Sequence, residues 1–321
     1  MGYTRNGQGM SMSDIVISEF MDEASVAALS AEFDVLYDKQ LQQDAPRLLR
    51  EAAACKALIV RNKTQVRGAL LDGARHMRVV GRLGVGLDNI DTEACKARSI
   101  TVITATGANS VSVAEYVLAT MLMLVRGAYQ SSHEVAAGAW PRERMVGGEL
   151  LGKTLGLVGF GGIARDVAAR ARAFGMDIVA YDPFLPPDSP VWRQYAARPL
   201  PLDALLTEAH AVSLHIPLTD ATRMLFDAPR IQTMRPGALL INTARGGIVD
   251  ENALAEALKK GHLGGAAMDV FGNEPLPGDT PLSKAPHCIL TPHIGGVTNE
   301  SNVRVSSMVA QKVAQILKED R

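Results

Sequence analysis

The sequence predicts an α/β protein with parallel sheets arranged in two domains, and three observations carry that reading. Short apolar runs alternate with amphipathic or alanine-rich segments along the chain, the order that lays helices over both faces of a parallel sheet. Residues 155–184, LGLVGFGGIARDVAARARAFGMDIVAYDPF, read as strand, glycine turn, helix, second strand and acid. About 150 residues precede that unit, enough for a domain of their own.

Bulk properties fit this. The chain has 321 residues, 47% hydrophobic and 21% charged, ordinary for folded domains with full cores. A net charge of -1 gives no basic surplus for nucleic acid, and no polybasic run suits an anionic membrane. The three cysteines, Cys55, Cys95 and Cys288, are far apart and form no CxxC or Cys/His cluster. Reduced thiols and no metal are expected. Residues 1–13, polar and glycine-rich, are expected to be a disordered tail, and they lack the apolar stretch of a secretory signal. The most apolar run, residues 117–125, is too short to span a bilayer, so a cytoplasmic location is expected.

In chain order, DIVISEF (14–20), DVLYD (34–38), ALIV (57–60), MRVVGRL (77–83) and ITVIT (100–104) are strand-like. Segments 22–32 and 44–54 between them have helical patterns. NSVSVAEYVLATMLMLVRGAYQ (109–130) follows as a helix apolar on several faces, which must be buried in a core or against another subunit. Past the glycine unit, AVSLHI (211–216), ALLINT (238–243), GAAMDVF (265–271) and CILTPH (288–293) continue the strands. DENALAEALKKG (250–261) is a helix with Asp250 as cap and Gly261 as stop, and 298–317 is an amphipathic helix.

The glycine unit has the form of a dinucleotide site. Gly159 allows the tight turn, Gly161 lets backbone approach a pyrophosphate at the following helix N-terminus, and Ala164 fills a position that need only be small. Ile163, Val167, Ala171 and Phe174 mark the helix face expected on the sheet. Asp182 follows Ala164 by 18 residues, where a carboxylate accepts from ribose hydroxyls and repels a 2′-phosphate, so NAD is expected over NADP.

Three later motifs each place reactive groups after a strand. INTARGGIVD carries Arg245, MDVFGNEPL carries Asp269 and Glu274, and LTPHIGG carries His293. A guanidinium grips a carboxylate, an imidazole exchanges a proton near neutral pH, and a neighbouring carboxylate orients the ring. Together they suit hydride transfer at a carbon bearing a hydroxyl and a carboxylate. Singly, each also reads as a turn residue or a surface ion pair.

The chain resembles the D-isomer-specific 2-hydroxyacid dehydrogenases, the family of phosphoglycerate, hydroxypyruvate and D-lactate dehydrogenases. VRNKTQV (60–66), GRLGVGLDNID (81–91), NSVSVAE (109–115), GKTLGLVGFGGIA (152–164), HIPLT (215–219), NTARGGIVD (242–250), DVFGNEPL (269–276) and TPHIGG (291–296) carry the resemblance. It implies two Rossmann-like domains, with an NAD-binding domain (108–290) inserted into a flavodoxin-like substrate domain (14–107 plus 291–321). It implies Arg245, Glu274 and His293 as the catalytic set, and Gly84, Val85 and Gly86 as a carboxylate cradle shared with Arg245. Gly159, Gly161, Gly162, Ile163, Asp182, Thr243 and Ala244 match cofactor contacts, joined by Arg245, Asp269, His293 and Gly295. It also implies a homodimer through the 109–127 helix, with a 2-hydroxy or 2-oxo acid as substrate.

Two other readings share the resemblance. NAD-binding corepressors use the fold without turnover, which the intact catalytic set disfavours. Formate dehydrogenases pair the histidine with glutamine, which Glu274 disfavours. The substrate's far end stays open. Arg61, Lys63 and Arg82 read either as ordinary domain ion pairs or as cations for a second anionic group, of the 3-phosphoglycerate or sulfolactate type. DIVISEFMDEASV is similar to bacterial sulfolactate dehydrogenases of the family. The chain stops soon after Lys318, so an added regulatory domain is not expected.

Overall fold

A computed structural model describes residues 13–319, so all but the last residue of the expected 1–13 tail lies outside the described residues. The chain divides into two units. One comprises residues up to Asn109 and from Thr298 onward, and the other is Ser110–Val297. The expected boundaries at 107 and 290 therefore move: 291–297, with His293, groups with the inserted unit.

The first unit holds a five-stranded sheet of β1 (Ile15–Ile17), β2 (Val35–Tyr37), β3 (Ala57–Val60), β4 (Val79–Arg82) and β5 (Thr101–Thr104). Its order is β2-β1-β3-β4-β5 and all pairs are parallel, the flavodoxin-like arrangement. Both faces are covered, so central strands such as β3 are apolar throughout rather than alternating. One face packs Val305, Val309, Val313 and Leu317 of the helix Asn299–Glu319 against Ile15, Ile59 and Val79. The other buries Leu48, Ala52, Leu70 and Leu71 against Val16, Leu58 and Val80.

The second unit holds seven parallel strands: β6 (Thr154–Val158), β7 (Asp177–Tyr181), β8 (Ala197–Pro199), β9 (Ala211–Leu214), β10 (Leu239–Asn242), β11 (Gly265–Met268) and β12 (Cys288–Leu290). The order β12-β11-β10-β9-β6-β7-β8 is the Rossmann order extended by one strand, and it reverses between β6 and β9. The edge strand β8, Ala-Arg-Pro, has no strand signature in the sequence; Pro199 is tolerated because it lies at an edge.

The apolar helix is Ser110–Arg126, and its buried residues, among them Val113, Val117 and Met121, pack into this unit's own core with the helix Gly162–Ala173. On the latter helix Ala164, Val167, Ala168 and Ala171 are buried. Phe174, expected on that face, is instead the C-cap residue and 43% exposed, because the helix ends before its side chain can turn inward. Asp250 caps the helix Glu251–Lys259 by accepting from the amides of Asn252 and Ala253.

Candidate active site

The ends of the strands place polar groups at the C-terminal edge of the seven-stranded sheet, the edge where open α/β sheets bind ligands. Gly159 follows β6 with φ +87, and a Cβ there would lie 2.5 Å from the carbonyl oxygen of His215, just past β9. Only glycine lets the turn pass that close. The Phe160 amide donates to Asp182 Oδ2 at 2.9 Å and the Phe184 amide to Oδ1 at 3.0 Å. The turn and the acid after β7 are thus one hydrogen-bonded piece, and each carboxylate oxygen keeps further acceptor capacity.

No side chain caps the helix that starts at Gly162, so its first amides present the positive helix end. A Cβ at Gly161 or Gly162 would meet nothing within 4 Å, which leaves that backbone open to a large ligand. After β10, Thr243 Oγ1 is buried with no hydrogen-bond partner. Open amides for a pyrophosphate, a carboxylate for ribose hydroxyls and an orphaned hydroxyl together fit a dinucleotide.

The reactive groups are held by a second set of contacts. Asn242, fully buried at the end of β10, donates from Nδ2 to the Arg245 carbonyl (2.9 Å) and accepts from the Ala244 amide (3.0 Å), which closes the turn that carries Arg245. Arg245 Nη1 donates to the Ala244 carbonyl at 2.6 Å. A Cβ on Gly246 would sit 1.8 Å from the Phe271 carbonyl oxygen, so glycine is what lets this turn lie against the loop carrying Glu274. Glu274 Oε1 accepts from the Phe271 amide at 3.0 Å, and Oε2 meets His293 Nδ1 at 2.9 Å. With Nδ1–H held by a carboxylate, His293 keeps Nε2 for proton exchange, on a side chain 44% exposed. His293 has φ +56.

Asp269, expected at the cofactor, also frames that turn. It is 1% exposed and accepts from the Thr291 hydroxyl (2.6 Å), the Ile294 amide (2.8 Å) and the Gly295 amide (2.7 Å). Because Thr291 gives its one proton to Asp269, Tyr116 must donate in the 2.5 Å contact between their hydroxyls. Burial pushes the Tyr116 phenol up to about 12, which keeps that proton in place. Asn242, Tyr116 and His215 were not singled out in the sequence; the strand-end position of Asn242 was the one available signal.

The remaining candidates lie in the first unit. The expectation that three cradle amides donate is narrowed: Gly84, at φ +152, gives its N–H to the Arg82 carbonyl (2.8 Å) and so shapes the turn. The amides of Val85 and Gly86 make no hydrogen bond among the described residues. Arg82 Nη1 donates to the Leu83 carbonyl. Arg61 Nη2 donates to Asn302 Oδ1 at 2.7 Å, and its guanidinium lies 5.8 Å over the Phe20 ring. Burial disfavours its charge and the nearby Glu19 carboxylate favours it. Lys63 is exposed.

Fold and site together define a nucleotide-dependent oxidoreductase acting at a hydroxyl-bearing carbon. The chain belongs to the D-isomer specific 2-hydroxyacid dehydrogenases: the family model described as "D-isomer specific 2-hydroxyacid dehydrogenase, NAD binding domain" matches residues 118–295. It is similar to the (S)-sulfolactate dehydrogenase of Chromohalobacter salexigens, 55% identical over 306 residues that cover 95% of this chain and 99% of that one. It is similar to the D-3-phosphoglycerate dehydrogenase of Archaeoglobus fulgidus, 37% identical over 271 residues, 84% of this chain but 51% of that one; the chain thus spans about half that relative's length. Among solved structures, the TT0316 protein of Thermus thermophilus superposes with TM-score 0.86 at 34% identity, covering 95% of this chain and 97% of that one. A glyoxylate reductase from Paecilomyes thermophila gives TM-score 0.85 at 27% identity, covering 97% of each chain. The protein is therefore an NAD-dependent 2-hydroxyacid dehydrogenase, and the corepressor alternative is not favoured.

Proposed function

We propose that the substrate is a 2-hydroxy acid with a second, sulfonate anion, interconverted with its 2-oxo acid: sulfolactate and sulfopyruvate. The observation that carries this is the 55% identity, over nearly the full length of both chains, to a sulfolactate dehydrogenase. Arg61 supports it. Its guanidinium rests on the neutral Asn302 and the Phe20 ring, so a cation with donors to spare is already fixed in place.

In this reading the Val85 and Gly86 amides receive the substrate carboxylate, and Arg61 receives the sulfonate. His293 Nε2 takes the C2 hydroxyl proton in oxidation and returns it in reduction. Glu274 holds the ring and favours the imidazolium as it forms, and Arg245 polarises the C2 oxygen. When bound, NAD supplies the hydride acceptor. The amides at Gly161, Gly162 and Ile163, the Asp182 carboxylate, Thr243 and Ala244 hold it, with Asp182 selecting NAD over NADP.

We also propose a homodimer in the cytoplasm. The 109–127 helix buries one side in its own unit, so the apolar surface open to a second copy lies largely past it, where Trp140 is 78% and Val146 81% exposed. The free thiols suit a reducing compartment.

The deciding experiment ranks 3-sulfopyruvate, 3-phosphohydroxypyruvate, oxaloacetate, hydroxypyruvate, glyoxylate and pyruvate by kcat/KM with NADH at fixed ionic strength. Sulfopyruvate should lead. A lead by pyruvate or glyoxylate ends the second-anion reading. Light scattering on the eluting peak, repeated with Trp140→Glu and Val146→Asp, reads the dimer.

A further inference from the structure

Glu19 lies two residues past β1 and is 4% exposed, yet it forms no ion pair among the described residues. Its carboxylate is wrapped by consecutive amides of one loop. Arg61 donates to Oε1 (2.9 Å), Asn62 to Oε2 (3.2 Å), Lys63 to both oxygens (3.2 and 3.1 Å) and Thr64 to Oε1 (2.9 Å). The loop is tied on its other side by Asn89, itself 5% exposed, whose Nδ2 donates to the Thr64 carbonyl at 2.7 Å and whose carbonyl accepts from the Val66 amide at 2.8 Å. Asn89 sits three residues past Gly86 in the same loop.

We propose that Glu19 is a positioning residue for substrate specificity: as an internal anion it templates residues 61–64 and thereby aims the Arg61 guanidinium at the substrate's second anionic group. This rests on the second-anion reading. A carboxylate suits the task because it only accepts, with about four lone-pair sites over two oxygens. In Glu19→Gln one oxygen becomes an NH2 that faces at least two amide donors, so the loop must shift. Electrostatics alone predicts the opposite outcome. Removing a negative charge near Arg61 strengthens the field for an incoming anion, so a purely electrostatic Glu19 would oppose the sulfonate and its loss would improve binding. The sign of the effect therefore separates the two roles.

The experiment measures the ratio of kcat/KM for 3-sulfopyruvate to that for pyruvate in wild type, Glu19→Gln, Glu19→Asp and Arg61→Leu, with the thermal unfolding midpoint of each. The expected result is a ratio lowered about tenfold or more in Arg61→Leu and in Glu19→Gln, borne mainly by KM for sulfopyruvate. Glu19→Asp keeps the charge but withdraws it by one methylene, and should lower the ratio too; it stands in if the glutamine variant does not fold. A lowered midpoint with an unchanged ratio means a merely structural role, and a raised ratio means an electrostatic one; either overturns the inference while a drop in Arg61→Leu leaves the substrate reading standing. An unchanged ratio in Arg61→Leu overturns both.

Discussion

Glu19 in the first unit and Asp269 in the second are both nearly fully buried carboxylates just past the end of a strand, and both are spent on loop amides. They shape their loops differently. Glu19 collects one unbroken run of amides, residues 61–64, and so sets the course of a whole segment. Asp269 takes one hydroxyl and two amides on either side of His293, and so brackets a single residue held at φ +56. A non-glycine residue in that region costs about 1–3 kcal/mol unless its surroundings fix it, and Asp269 is part of what does. The comparison teaches that an internal acid can act as a loop's mould; in the proposed function one loop carries a cation and the other a general base, so loss of Glu19 should be felt in binding and loss of Asp269 in turnover.

The largest effect belongs to the bracketed residue itself. His293→Ala should lower kcat by about 100-fold or more, the usual scale for losing a positioned acid–base group. Steady-state rates on a variant with the wild-type unfolding midpoint check this, and near-normal turnover would remove His293 from the mechanism. Asp269→Ala comes next. It leaves two amides and a hydroxyl without their acceptor, each costing roughly 1–3 kcal/mol where water cannot reach. The unfolding midpoint should fall, and kcat should fall by a similar factor for sulfopyruvate and pyruvate. A fall confined to sulfopyruvate would erase the contrast with Glu19.

The same pair shows what the sequence discloses. Strand–helix alternation and the glycine turn made both sheets legible, because parallel sheets need apolar strands and covered faces. Asp269, Glu274 and His293 stood out because each lies in a distinctive motif that follows a strand, Asp269 directly after β11, Glu274 in the loop beyond it and His293 three residues past β12. Glu19 was not: in DIVISEF it reads as one more strand residue, and its partners lie more than 40 positions away in sequence. Backbone amides leave no composition signal at all. The Gly84 N–H, expected in the carboxylate cradle, goes to the Arg82 carbonyl, a backbone partner that leaves no mark in the sequence. β8 escaped because an edge strand of three residues needs no apolar pattern.

A smaller effect tests the nucleotide half of the second unit. Asp182→Ala removes the carboxylate expected to bond ribose and repel a 2′-phosphate, and frees the Phe160 amide it holds. The preference of kcat/KM for NADH over NADPH should narrow by about tenfold or more. Wild-type preference for NADPH would show that the acid shapes only the turn, as Glu19 shapes its loop.

The smallest effect separates the units by pH. His215, past β9, hydrogen-bonds Ser213 through Nε2 at 2.9 Å, and burial lowers its pKa from 6.5 to about 4. Unfolded, the ring takes up its proton as pH falls through about 6.5; folded, it stays neutral until about 4. The unfolded chain binds more protons in that window, so the contribution is fully present above about 6.5 and is lost as pH drops toward 4. At about 1.4 kcal/mol per pH unit the ceiling is roughly 3 kcal/mol, and partial exposure of the residue brings it lower. His210, also in this unit, is shifted the same way by burial and by Arg235 and Lys153. Protection factors of the amides in β6 and β9 should therefore fall between pH 6.5 and 4 more than those in β3 and β4. His215→Gln, which keeps a partner for Ser213 without a titrating ring, should flatten that difference; an identical fall in both sheets would mean the acid response is not set by the second unit's histidines.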